Sequence, residues 1–237
     1  MDKSVLIAGK DFPSSAAFVN AGVKAGYAAA VSVSQDEKLP GDTLCSFNWN
    51  RHSSISAHTF ILEAVNTLKS LSHALLIFDA KEYEQRFSDF DTQTISEVTD
   101  EAVAGYMFLT KELIEFFSKR EAGGTLCFLY QPSFAAKEIK SFAKNKDSVP
   151  TGRALVAAAS AAFKAFAENT AALHGYERIK IMLAEYDESE EQNAQTQTAE
   201  TLFAYLNAYN TSDKYKQSIR WIKLGTKAPA PWQLFKH

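Results

Sequence analysis

Few residues in this chain are typed and spaced for chemistry. Tyr130 closes an apolar run and is a candidate acid/base group if a cation such as Arg153 or Lys137 stands beside it, with Ser133 as a nearby hydroxyl. A tyrosine at a strand end otherwise packs or tethers the backbone. Five histidines are scattered, and only His52 and His58 are near neighbours. Their spacing of six residues does not set both on one helix face, so structural roles are expected. Cys45 and Cys127 lie in short apolar runs with no further ligands at metal-binding spacing. They read as buried thiols behaving as small hydrophobes. Ser14 and Ser15 lack the Gly-x-Ser-x-Gly surroundings of a hydrolase nucleophile and read as helix caps. Lys137, Lys140, Lys144 and Lys146, with Phe134 and Phe142 among them, form a basic patch too narrow for a nucleic-acid footprint.

The chain that must position these groups has 237 residues, 46% of them hydrophobic and 12% aromatic, which suits one α/β domain with a full core. A formal net charge of -3 argues against nucleic acid as partner. The N-terminal apolar run is short and is interrupted by Lys10 and Asp11, unlike a secretory leader. The longest apolar helix carries Lys164 and Glu168, unlike a membrane span. A cytoplasmic protein is expected.

Strand-like runs alternate with helix-length segments. Strands are predicted at Ser4–Ala8, Tyr27–Val33, Leu44–Trp49, Ala74–Phe78, Thr125–Tyr130, Ile179–Ala184 and Ser218–Leu224. Helices are predicted at Pro13–Lys24, Ser54–Leu71, Ser96–Arg120, Ala154–Leu173 and Ala199–Tyr209. Thr94 and Glu97 have capping-box spacing before the third of these. Lys81–Gln93 reads as charged and irregular, and Phe134–Asn145 as a short lysine-bearing helix or loop. The alternation predicts a Rossmann-like doubly wound α/β fold: a mostly parallel sheet of about seven strands with helices on both faces. The helix Ala154–Leu173 is small-sided and apolar almost all round, so it must be covered on most sides.

Three segments resemble the short-chain dehydrogenase/reductase family: 98–117 (VTDEAVAGYMFLTKELIEFF), its long interface helix; 160–183 (SAAFKAFAENTAALHGYERIKIML), its catalytic helix and sixth strand; and 200–225, its closing helix and last strand. The resemblance spans nearly the whole chain. It implies a dinucleotide cofactor, NAD or NADP, and a homo-oligomer, dimer or tetramer, paired through the helices from Ser96 and Ala154.

The family's site residues map unevenly. Its glycine-rich turn, where backbone approaches a pyrophosphate, corresponds to Gly9-Lys10-Asp11-Phe12-Pro13-Ser14-Ser15. Gly9 stands in the first glycine's place, while Pro13 and Ser15 replace the other two, and Lys10 and Ser14 are left as partial donors. Asn48 matches the adenine-contacting acid. Asp79 and Ala80 fall in the Asn-Asn-Ala-Gly motif at the end of strand four, where only the alanine is kept. The family's structural asparagine appears as Ala102, and Tyr186-Asp187 replaces a Pro-Gly before a run of carboxylates ending at Glu191. The catalytic Tyr-x-x-x-Lys pair becomes Val156 and Ser160, which cannot pass a proton to a carbonyl. The only such spacing in the chain, Tyr176 to Lys180, lies at the entry to a strand, opposite the edge where these sheets bind ligands.

Two function classes follow: a non-catalytic binding or assembly protein on this fold, with the Trp232–Phe235 tail docking on a partner subunit, or a divergent NAD(P)-dependent oxidoreductase with unconventional site residues. A sensor that uses a ligand to shift assembly is a third.

Overall fold

Along β1 (Ser4–Phe12), Val5 and Ile7 face one side of the sheet while Leu6 and Ala8 face the other, and all four are fully buried. The same alternation runs through β4 (His73–Asp79) and β5 (Gly124–Gln131), where Leu76, Phe78 and Phe128 join one core and Leu75, Ile77 and Leu129 the other. A strand apolar on both faces needs cover on both, which is why these runs look continuous rather than amphipathic. The computed structural model describes residues 3–34, 39, 43–133, 150–175, 178–186, 194–211 and 219–224.

The other strands are β2 (Ala28–Val33), β3 (Leu44–Asn48), β6 (Ile179–Glu185) and β7 (Ile222–Lys223). All pair in parallel, in the order β3-β2-β1-β4-β5-β6-β7, so the expected seven-stranded Rossmann-like sheet is present and wholly parallel. The order reverses between β1 and β4, which makes their carboxyl ends the topological switch point. Helices α1 (Ala16–Lys24) and α7 (Ala194–Thr211) cover one face. Helices α2 (Ser54–Leu68), α5 (Gly105–Lys119) and α6 (Arg153–His174) cover the other. Among the described residues no helix is long and apolar enough to cross a membrane.

Several elements differ from expectation. β1 runs on to Phe12, so α1 opens at Ala16 rather than Pro13. The stretch read as irregular holds two short helices, α3 (Ala80–Arg86) and α4 (Thr92–Thr99). Each is nucleated by an aspartate cap: Asp79 accepts from the Glu82 amide at 3.0 Å and Asp91 from the Thr94 amide at 2.7 Å. Asp91 thus replaces the predicted Thr94–Glu97 capping box. The long helix is present as one helical run from Thr92 to Lys119, but a π-helical segment, Asp100–Ala104, lies within it between α4 and α5. The last strand keeps only Ile222 and Lys223. The lysine patch from Lys137 to Lys146, the carboxylates from Asp187 to Glu191, Tyr176 and the Trp232–Phe235 tail lie outside the described residues.

Among the described residues, helix α6 buries one face and leaves much of the other exposed. Val156, Ala159, Ser160, Phe163, Ala167 and Ala171 are buried against the sheet and the π-helical segment. Ala154, Ala157, Ala158, Ala161 and Ala165 are exposed, as is Leu173 at 70%.

Candidate functional site

The switch point is crowded with charge. Gly9, at φ +96°, passes so close to β4 and α5 that a Cβ there would overlap the Ile77 carbonyl and the Tyr106 ring. Only glycine adopts this conformation without strain and fits this approach. β1 then delivers Lys10 and Asp11 to the carboxyl edge. The Lys10 ammonium donates to Asp79 at 2.5 Å and lies 3.8 Å from Glu82, with Lys10 and Asp79 both buried. Asp79 therefore works twice, as the cap of α3 and as the counter-ion of β1.

The second ion pair comes from β3. Three residues beyond Asn48 the chain turns Arg51 inward, 6% exposed, and its guanidinium meets Asp11 at 3.1 Å. Ser32, on β2, donates to the other oxygen of Asp11 at 2.6 Å. Arg51 also donates to the Tyr83 hydroxyl at 2.6 Å and lies over the Trp49 ring, 5.2 Å from its centroid. Tyr83 and Tyr106 hydroxyls are 3.2 Å apart, and Tyr106 donates to the Ile77 carbonyl at 2.6 Å. Since Tyr106 spends its single proton on Ile77, Tyr83 must donate to Tyr106. A directed chain thus runs from Arg51 through both phenols to the backbone of β4.

Burial raises the pKa of Tyr106 well above the ordinary phenol value, with neighbouring Tyr83 adding to it. Burial raises Tyr83 too, partly offset by Arg51. Both remain neutral phenols at neutral pH. Burial opposes the charge of Arg51, but Tyr83 and Asp11 outweigh it, so the guanidinium stays protonated. Glu82 is pushed up by burial, against the pull of Lys10.

The π-helical segment supports this arrangement from behind. It turns Glu101 inward to Arg86 at 2.6 Å, with the His52 ring 3.4 Å away. Gly105, which follows it, packs directly on the Arg51 backbone, where a Cβ would lie 2.9 Å from the Arg51 Cβ. No charged or glycine-rich motif announces Arg51, Tyr83 or Tyr106 as a group. The one local signal is the Asp79-x-x-Glu82 capping spacing, which the structure uses.

Of the residues singled out from the sequence, Gly9, Lys10 and Asp79 meet here. A crevice of about 360 Å³ opens outward from them, lined by Lys10, Ser14, Asp79, Lys81, Glu82, Gln85 and Gln195. Ala80 is fully buried as the first residue of α3, and Asn48 is exposed at the end of β3 and lines neither cavity. A separate, smaller void of about 20 Å³ lies between Gly9, Asp11, Arg51, Asp79 and Tyr83. That is room for about one water molecule. Among the described residues the donor set does not favour a pyrophosphate: both inner cations are bound to the chain's own carboxylates, and the side chains lining the outer crevice end in polar or charged groups.

Tyr130 lies elsewhere on the same edge, opposite Glu185 in the β5–β6 register. Of the two cations expected beside it, Arg153 pairs with Glu84 at 3.0 Å, and Lys137 lies outside the described residues. Instead Lys164, from α6, sits 4.9 Å from the Tyr130 ring centroid and 5.0 Å from that of Trp221, and donates to Glu185 at 3.1 Å. The ammonium faces the ring, an electrostatic contact with the π cloud. Ser133 is half-buried two residues past β5. Val156 and Ser160 are buried in the core beneath. Burial pushes the Cys45 thiol up to about 11 and Cys127 higher still, so neither offers a thiolate at neutral pH. Among the described residues no cluster could hold a metal ion.

With this geometry in place, the likeness to known proteins is one of structure. No family model and no curated protein sequence matches the chain. Solved short-chain dehydrogenases/reductases do. A short-chain dehydrogenase from Bacillus anthracis superposes with a TM-score of 0.63 at 11% identity, over 95% of this chain and 96% of that one. ElxO with NADP bound gives 0.66 at 12% identity, over 94% and 97%. A Brucella ovis oxidoreductase of the same family, in complex with a partially ordered NAD, gives 0.63 at 13% identity, over 95% and 100%. The chain therefore has the short-chain dehydrogenase/reductase fold, and at such identity the likeness speaks for the fold alone.

Proposed function

We propose that the chain is a non-catalytic protein on the short-chain dehydrogenase/reductase fold, acting through binding and self-assembly. The observation that carries this reading is helix α6. Its inward face puts Val156 and Ser160, which the sequence resemblance sets at the places of the family's tyrosine and lysine, into the core, where neither can exchange a proton with a ligand. Its exposed face carries Ala154, Ala157, Ala158, Ala161, Ala165 and Leu173, with Asn169 and His174 as the polar residues toward its end. A largely apolar face left exposed calls for a second cover. Alanines admit a close helix–helix approach, which suits a second copy meeting the first across a two-fold axis. Static light scattering on the eluting peak tests the assembly, and a strict monomer at micromolar concentration sinks it. Quenching of tryptophan fluorescence by NADH and NADPH tests the other half. No saturable binding at millimolar cofactor is expected, and turnover of a carbonyl substrate overturns the reading.

A second reading, a divergent NAD(P)-dependent oxidoreductase, draws on one observation: a tyrosine and a lysine, Tyr130 and Lys164, do lie together at the carboxyl edge of β5. The geometry favours a structural role, because the ammonium is held over the ring face by Glu185 and Trp221. Carbonyl reduction by the purified chain, abolished by Tyr130→Phe, would favour this second reading.

A further inference from the structure

We infer that His52 is a proton-operated latch, which joins the turn carrying Arg51 to the π-helical segment while its ring is protonated and lets go when the ring is neutral. The inference starts from what stands on each side of the imidazole. Nδ1 lies 3.3 Å from an Asp100 oxygen and Nε2 lies 3.4 Å from a Glu101 oxygen, so both nitrogens face carboxylates. A neutral imidazole has one N–H donor and one lone pair. Whichever tautomer it takes, one nitrogen turns its lone pair toward a carboxylate, and that contact is repulsive. The imidazolium donates from both nitrogens, and only this form satisfies both contacts.

The turn beneath the ring is held by its own hydrogen bonds. The Asn50 side chain accepts from the His52 amide at 3.0 Å, the Asn50 carbonyl accepts from the Ser53 amide at 3.1 Å, and Ser53 caps α2. The same turn sends Arg51 into the core and His52 outward, with 43% of its side chain exposed, so protons from solvent reach the ring. Across from it, Asp100 and Glu101 open the π-helical segment, a local irregularity of the kind that gathers at functional sites. Gly105, at the end of that segment, packs on the Arg51 backbone, so the latch spans a seam whose two sides already touch.

The charges around the ring are mixed. Asp100 and Glu101 attract a second proton. Arg86, 2.6 Å from Glu101, and Arg51, which Glu101 also attracts, oppose it. Glu101 is thus shared, whereas among the described residues Asp100 pairs with no cation but His52. His58 supplies the contrast. It meets one carboxylate, Glu112, through Nδ1 at 2.7 Å, and a neutral ring with its proton on Nδ1 satisfies that contact fully. Of the two histidines on this side of the fold, only His52 needs the second proton.

Nuclear magnetic resonance of the full chain tests the latch at about pH 5.5 and about pH 8.5, on either side of the range in which histidines titrate. His52→Gln identifies the ring signals by their loss. At the lower pH the wild-type ring is expected to carry protons on both nitrogens and to show Overhauser contacts to the side chains of Asp100 and Glu101. At the higher pH these contacts should be lost, and the Arg51 amide signal should move with the same midpoint as the ring. His58 should keep its contact to Glu112 throughout. Asp100→Asn, at a half-exposed position, puts an amide donor opposite the lone pair of a neutral ring. In that variant the contacts to Glu101 should persist at about pH 8.5, with the latch closed at both values. Equal contacts at both pH values in wild type overturn the inference, because the ring then holds its place without the second proton. So does loss of the contacts at the higher pH in folded Asp100→Asn, since the lone pair is then not what opens the latch. Neither outcome depends on cofactor binding or oligomeric state, so failure here is distinct from failure of the proposed function.

Discussion

Lys10 and Asp79 join the ends of β1 and β4 at 2.5 Å, across the point where the strand order of the sheet reverses. In a doubly wound sheet this gap is the one place on the carboxyl edge that helices leave open, since the connections on either side depart in opposite directions. The chain closes it with a buried ion pair. Breaking such a pair from one side strands a charge, and the stranded charge is what costs. Lys10→Met is expected to lower the unfolding free energy by about 3 kcal/mol. Lys10→Met/Asp79→Asn should lose less than the sum of the single changes, with a coupling of about 1–3 kcal/mol. Urea unfolding followed by circular dichroism measures both, and additive losses would show that the two side chains do not depend on each other.

The buried phenols set the alkaline limit. Tyr83 and Tyr106 have folded-state pKa values raised above the usual 10.0, and Tyr27 is pushed up to about 12 by burial. An acid whose folded pKa is raised has no effect on stability while both states are protonated. Above pH 10 the unfolded chain ionises first, so stability falls as pH rises. The chain should therefore lose stability from about pH 10 upward, and the phenolate absorbance of these tyrosines should appear only with unfolding. Tyr106→Phe removes the donor to Ile77 and the acceptor for Tyr83, and is expected to cost about 1–3 kcal/mol at neutral pH.

Gly9 is the narrowest position in the site. Its φ of +96° and the Ile77 carbonyl at the place of a Cβ are two independent objections to any side chain. Gly9→Ala is expected to cost about 3 kcal/mol or more, because the strand must shift away from β4 and take the Tyr106 hydrogen bond with it. Thermal unfolding measures this, and a loss below about 1 kcal/mol would show that the β1–β4 approach is looser than these contacts imply.

What the sequence disclosed, and what it withheld, follows from the range of the interactions. Strand runs such as Ala74–Phe78 are written in consecutive residues, so the sheet could be read from pattern alone. Gly9 was legible through the family resemblance, while the Ile77 carbonyl and the Tyr106 ring that exclude a side chain there come from distant elements. Arg51 was not, since nothing within a few residues of it shows that Asp11 and Tyr83 will come to it from other strands. Tyr106 falls within the predicted helix Ser96–Arg120 with nothing nearby to mark its hydroxyl, whose partners Ile77 and Tyr83 come from other elements. The π-helical segment escaped for the opposite reason: Asp100–Ala104 is a sequence any α-helix would accept, and the packing of Gly105 on Arg51 accompanies the extra residue.

The exposed alanines of α6 give the assembly proposal its sharpest test. Ala158, Ala161 and Ala165 lie on one stripe of the helix, opposite the buried Val156 and Phe163. Ala161→Arg adds a long charged side chain where a partner's backbone would approach, and leaves the core untouched. Dissociation to monomer is expected, with the circular dichroism spectrum of the fold retained. An unchanged oligomer would move the contact to another face.

Installing a phenol and an amine tests the non-catalytic reading from the other side. Val156→Tyr/Ser160→Lys writes the Tyr-x-x-x-Lys spacing into α6 at the positions the sequence resemblance proposes. In an enzyme of this fold that pair needs open space above it for a carbonyl. Here Val156 is 1% exposed and Ser160 8%. The tyrosine must therefore overpack the core, at about 1–3 kcal/mol, and the lysine must bury a charge with no carboxylate assigned to it. The double variant is expected to unfold at lower temperature than wild type and to show no ketone reduction with NADPH. Steady reduction by a folded double variant would mean that a carbonyl and a nicotinamide find room at this edge, and that the reading of α6 as a structural and assembly helix is wrong.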